Sequence, residues 1–313
     1  MTALLRYIIK KIAIGIPVIL GVTIILFITM RVIPADPVTL MVGERVTQER
    51  ILEIKREWGL DKPLYIQYIV WLTHIITGDM GISIVTKQPV SSLIAERLPY
   101  TLQLTLTSLV LAYVIGIPIG VYAALKRGGV GDYAAIGFST FFYSSPNYWL
   151  GLMLMLIFGL YLRILPISGA GTLQHLILPV LSLALPSVAT IVRLVRAEML
   201  EVLMEDYVRT AFAKGLPHQR VYLRHALRNA LIPVTVLFFL NLPWLIGGAV
   251  VIETVFAWPG MGRLLYNAII QLDYPVIQGI ILIIAVLTVA SNTIGDIILA
   301  IIDPRIRLEA REV

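Results

Sequence analysis

The chain has 313 residues, of which 58 % are hydrophobic and only 14 % charged; soluble domains carry roughly a quarter charged residues, so an ordinary water-soluble fold is excluded. The absence of cysteine excludes disulfides, thiolate metal sites and cysteine nucleophiles. The formal charge of +6 is spread over loops rather than gathered in a patch, so it is read as membrane topology, with a lipid bilayer and no nucleic acid as partner.

Six apolar runs, roughly twenty residues each, can cross a hydrocarbon layer as helices that satisfy their own backbone hydrogen bonds. They cover residues 8–30, 98–125, 133–160, 176–192, 230–252 and 275–302, which predicts an all-α membrane protein with six transmembrane helices. Arg6, Lys10 and Lys11 hold the N-terminus in the cytoplasm. The first run is too long for a signal-peptide core and lacks a small-residue cleavage site, so it stays attached (domain 1–30).

Residues 31–97 form a small extracytoplasmic helical insertion with eight basic and eight acidic residues. Thr47 begins an amphipathic helix on which Ile51, Ile54 and Trp58 share a face, and Gly59 ends it. The apolar run 64–76 includes Gln67 and His74 and is short for a span. Counting it as one would invert every later loop. With six spans, fifteen basic residues lie on the cytoplasmic side and only Arg163 and Arg263 in the short outside loops, the insertion set aside.

The five-helix core, 98–302, opens at Pro99. Gly116 and Gly120, four apart, either admit a close helix neighbour or are glycines simply tolerated in lipid. Ser144-Ser145-Pro146-Asn147 interrupts the third span, and such a break must face protein or water. The fourth span, with Pro179 and Pro186, returns to the cytoplasm at Arg193 and Arg196. In the fifth, Asn241, like Asn147 in the third, either lines a pathway or bonds a neighbouring helix. Beyond it, Phe256, Trp258 and Met261 accompany Pro259, Gly260 and Gly262. They form either an interfacial aromatic belt or, with a short re-entrant helix at 263–271, the outer gate of a pathway. A cytoplasmic tail, 303–313, closes the chain.

Between the fourth and fifth spans lies a basic helical hairpin, about 196–229. Asp206 can cap a short helix carrying Val208, Ala211 and Phe212 on one face, and Gly215 supplies a left-handed stop. Pro217 fits the first position of a second helix, along which Arg220, Arg224 and Arg228 recur every four residues. The hairpin either docks a partner or is a solvated basic surface.

Several chemistries lack residues. No G-x-x-x-x-G-K-[ST] loop, H-E-x-x-H or G-x-S-x-G occurs, so this chain has no Walker A site and no hydrolase motif. His74, His175, His218 and His225 are scattered and are read as surface histidines. Asp296 is the one clear ionisable residue inside a span, near its cytoplasmic end, which argues against an ion-coupled carrier.

The hairpin resembles the cytoplasmic coupling loop of ABC-importer permeases through Thr210, Ala211, Ala213, Lys214, Gly215 and the later 229–233 segment. Arg209 stands where the general motif has Glu, and the distance from Gly215 to Pro233 is longer than usual; both fit the dipeptide/oligopeptide/nickel branch. Segments 31–37, 59–65, 78–83, 145–146, 165–166, 256–263, 273–278 and 303–307, in this order, resemble that branch along nearly the whole chain, and the large insertion resembles its first permease subunit. The resemblance implies a type I importer permease fold with Glu205, Asp206, Tyr207, Arg209, Thr210, Ala211, Ala213, Lys214 and Gly215 as the ATPase-coupling hairpin, Ala211 and Gly215 foremost. It also implies a homologous second permease subunit, two ATP-binding subunits and an extracytoplasmic solute-binding protein. ATP and Mg would sit on the ATPase chains, with no cofactor on this one. It further implies a prokaryotic cell (inner) membrane as the location, with both termini cytoplasmic. Peptide is the expected solute; nickel or another metal chelate, glutathione and oligosaccharide stay open.

Overall fold

The computed structural model describes residues 3–32 and 61–302. The helix expected from Thr47 to Gly59, motif residues 33–37 and the closing 303–307 lie outside the described residues. In chain order the helices are α1 (Ala3–Val32), α2 (Leu64–Ile76), α3 (Val90–Leu125), α4 (Val130–Ser144), α5 (Asn147–Leu154, prolonged by a π-type stretch Met155–Tyr161) and α6 (Leu173–Val202). Then come α7 (Asp206–Ala213), α8 (His218–Arg220, a π-type stretch Val221–Ala226, then Leu227–Val255), α9 (Met261–Ile270) and α10 (Tyr274–Ile302).

Five of them, α1, α3, α6, α8 and α10, are long and apolar enough to cross a membrane. The other expected span is broken where the sequence places the interruption. Proline disfavours helical geometry in the residue before it, so Ser145 is extended (φ −88°, ψ 128°) and α5 restarts after Pro146. Five of the six expected spans are therefore continuous helices, and the stretch expected as the third is two shorter helices, α4 and α5.

Pro99, read as the start of the second span, instead lies well inside α3, which begins at Val90. The helix tolerates the missing N–H because Val90, Leu93 and Ile94 are buried against Met261, Tyr274 and Ile277. Packing outweighs the local break. The end of the insertion is thus the first turns of a spanning helix.

The core is the seam between α3 and α6. A Cβ on Gly116 would stand 2.8 Å from the Ile191 Cβ, and one on Gly120 2.7 Å from the Val195 Cβ, so the two glycines are what allow this approach. Ala112, Val188, Val192 and Met199 fill the rest of the seam. Gly120→Leu is expected to cost about 1–3 kcal/mol through overpacking and to lower the melting temperature in detergent. Gly137→Leu, where a Cβ would meet nothing within 4 Å, is the control.

α10 lies against α1 and α8, with Gly295 admitting Phe239 and Gly15 admitting Val289. Lys11 and Asp296 pair at 2.7 Å across α1 and α10. The outward faces stay apolar: Ile9, Ile12, Ile16 and Ile25 of α1 are all exposed. A patch of that size on a soluble monomer would be an aggregation liability, and it suits lipid. α2 rests on α1 through Tyr68, whose hydroxyl is 2.8 Å from that of Thr23.

Candidate functional site

Three polar features interrupt this apolar bundle. The first is the hairpin at one end. α7 starts at Asp206, with Glu205 in extended geometry at the cap position and no side-chain capping bond, so Asp206 is the first helical residue and not the cap. The stop is as expected: Gly215 has φ +75°, its N–H donates to Phe212 O (2.9 Å), and Leu216 N–H donates to Ala211 O (3.4 Å). This pair of bonds is a Schellman ending, which calls for a residue at positive φ and so favours glycine.

The apolar face of α7 packs inward: Val208 and Ala211 are buried with Val221. Ala211 therefore holds the hairpin together. The exposed face carries Glu205, Asp206, Tyr207, Arg209, Thr210 and Ala213, followed by Lys214 and Gly215. Phe212 stacks beside His218 and Tyr222, at ring distances of 5.2 and 5.9 Å. Tyr207 accepts a bond from Asn229 Nδ2 (2.7 Å) and donates to His225 O (3.4 Å), pinning the short helix to the second arm.

That second arm is not a separate surface helix. After Pro217 it forms the first turns of α8, continuous with a spanning helix. The π-type stretch also splits the expected arginine stripe, because a π turn takes more residues than an α turn. Arg224 and Arg228 line one hollow of about 520 Å³ with Tyr207 and His225, and Arg220 is not among its walls. Beside the hairpin, Arg196 forks onto Asp132 (2.5 and 2.9 Å), and Gly128 N–H donates to the same carboxylate (2.9 Å). This bidentate pair ties the turn before α4 to α6.

The second feature is a cavity of about 310 Å³ lined by Tyr143, Ser145, Asn147, Pro186, Ser187, Thr190 and Asn241. Asn147 and Asn241, 94 positions apart in sequence, thus share one polar wall, and the broken span supplies its floor. A polar hollow between spanning helices has to face water or protein.

The third feature lies at the far end of α8, which the length of that helix places opposite the hairpin. Glu253 is fully buried. Its carboxylate accepts Thr101 Oγ1–H (2.6 Å) and the Arg263 N–H (3.0 Å), while Met261 N–H donates to Thr101 Oγ1 (2.8 Å). A Cβ at Gly260 would overlap this carboxylate, which accounts for the glycine. Trp258 donates its indole N–H to Tyr100 O (3.0 Å). Nearby, Asp273 accepts Ser83 Oγ–H (2.5 Å) and Ile84 N–H (3.0 Å), binding the segment before α3 to the start of α10. On the segment between α2 and α3, Gly81 N–H and His74 hold the Asp79 carboxyl below its usual range.

Phe256, Trp258 and Met261 are buried inside this clamp, and none of them lines the polar cavity. They pack as structure: Phe256 meets Gly151 of α5, where a Cβ would approach its ring at 3.0 Å. A lipid-facing belt does not fit their burial. The expected short helix is present as α9. Glu253 also corrects the expectation that Asp296 is the one ionisable group in the spans.

Long apolar helices, a polar hollow among them and a hairpin continuous with one of them are the build of a multi-pass membrane protein. The chain belongs to the family of binding-protein-dependent transport system inner membrane components: its model matches residues 116–308, and the model of the family's N-terminal part matches residues 4–105. The chain is 44 % identical over 312 residues to the oligopeptide transport system permease protein AppB of Bacillus subtilis, covering 96 % of this chain and 98 % of that protein. It is 37 % identical over 336 aligned positions to the dipeptide transport system permease protein DppB of Escherichia coli K12, covering 97 % and 99 %. The fold is that of ABC-importer permeases: an inward-facing structure of the MetNI methionine ABC transporter superposes with a TM-score of 0.58 at 20 % identity, over 67 % of this chain and 96 % of that one.

Proposed function

We propose that this chain is one permease subunit of an ATP-driven importer of dipeptides or oligopeptides. The observation that carries this reading is the end-to-end similarity to AppB and DppB, whose names state peptide transport. The chain forms half of a translocation pathway, with Asn147 and Asn241 on its wall. A homologous second permease subunit supplies the other half, two ATP-binding subunits carry ATP and Mg, and an extracytoplasmic solute-binding protein delivers the peptide. Both termini and the hairpin face the cytoplasm of a prokaryotic inner membrane.

The hairpin works as a mechanical link. The exposed residues 205–207, 209–210 and 213–215 seat in the ATPase subunit, and closure of the ATPase pair moves α8 directly because no flexible joint separates hairpin from span. Chemistry stays on the partners; this chain converts their motion into a change of access at the cavity. The test is uptake of labelled peptide by proteoliposomes containing the full assembly. Uptake should require internal ATP, the ATPase chains and the binding protein. Uptake by this chain without ATPase partners would contradict the reading.

A further inference from the structure

The 310 Å³ cavity has a definite chemical polarity. Ser145 Oγ–H donates to Phe141 O (2.8 Å), Ser187 Oγ–H to Leu183 O (3.2 Å) and Thr190 Oγ1–H to Pro186 O (3.1 Å). Each hydroxyl proton is committed to its own helix, so the oxygens present acceptor lone pairs to the hollow. Asn147 and Asn241 add side-chain amides, which accept and donate. No carboxylate, ammonium or guanidinium is in the wall. Such a lining matches the N–H and C=O groups of a peptide backbone and has nothing to neutralise a full charge.

The charge lies at the rim. Arg193 follows Thr190 by three residues on the same side of α6. Its guanidinium stands 5.0 Å from the ring centre of Tyr143, itself part of the wall. Arg196, one turn on, is forked onto Asp132; Arg193 is exposed and has no ion-pair partner among the described residues. A guanidinium held over an aromatic face, with its donors open, is suited to a carboxylate.

We propose that this cavity is a peptide-binding station in which the neutral wall takes backbone amides and Arg193 takes the C-terminal carboxylate. Backbone and terminus are common to all peptides, so the station tolerates varied side chains and still rejects solutes lacking the terminal charge. The proposal deepens the peptide-import reading and rests on it.

The experiment uses the complete assembly in proteoliposomes, with labelled trialanine and its C-terminal amide supplied in separate runs. The ratio of acid to amide uptake is compared between variants, so any preference of the binding protein cancels. R193Q is expected to lower that ratio about tenfold, the scale of one charge-assisted pair. R193K, keeping the charge, should retain most of it. N147A should reduce uptake of both forms and leave the ratio unchanged. An unchanged ratio in R193Q, with trialanine still imported, would overturn the station alone. If the wild-type assembly imports neither form, the peptide reading fails with it.

Discussion

Ala213→Trp is expected to reduce uptake about tenfold or more while leaving the permease folded and at normal level in the membrane. Ala213 is exposed on the last turn of α7, beside Lys214 and Gly215, and a bulky ring there alters only what that face presents. Loss of about 1.4 kcal/mol of contact at the proposed seat in the ATPase subunit suffices for a tenfold effect. Ala211→Trp is the informative contrast. Ala211 is buried against Val208 and Val221, so a tryptophan there disrupts the hairpin itself and should lower the melting temperature. Uptake with ATPase stimulation, read beside thermal stability, separates the two. Normal uptake by Ala213→Trp would argue that this face docks nothing.

The second large effect is expected at the opposite end. Glu253→Ala removes the acceptor shared by Thr101 and the Arg263 N–H and leaves donors buried without partners, at about 1–3 kcal/mol each. The N-terminus of α9 then loses its anchor to α3, and with it the packing of Met261. We expect a clear drop in melting temperature and loss of monodisperse protein in detergent. Glu253→Gln keeps the shape and one oxygen, and should fall between wild type and Glu253→Ala. Wild-type stability in Glu253→Ala would show that the clamp is held by packing alone.

The long apolar runs were legible because a spanning helix announces itself locally, by twenty residues of one character. Pro146 and Gly215 were legible for the same reason, since each acts on its own backbone. The clamp was not. Glu253 meets Thr101 from 152 positions away, and Asp273 meets Ser83 from 190. The available signal was a lone carboxylate directly after the apolar Val250, Val251 and Ile252, with no basic residue within a helical turn to pair with it. Pro99 misplaced the start of α3 because the residues that rescue the helix, around Met261 and Tyr274, are distant in sequence. Ala211 shows a subtler limit. Its spacing put it on the inner face with Val208, where it is buried, while the family pattern marked it for docking.

The decisive question is which side of the membrane α7 occupies. Because the chain has no cysteine, Ala213→Cys creates a unique thiol. Ser168→Cys, in the exposed loop between α5 and α6, provides the outside reference. In intact cells or spheroplasts, a membrane-impermeant maleimide should label the thiol of Ser168→Cys and spare that of Ala213→Cys, which should react only in inverted vesicles stripped of the ATPase subunits. Labelling of the position-213 thiol from outside intact cells would contradict the account.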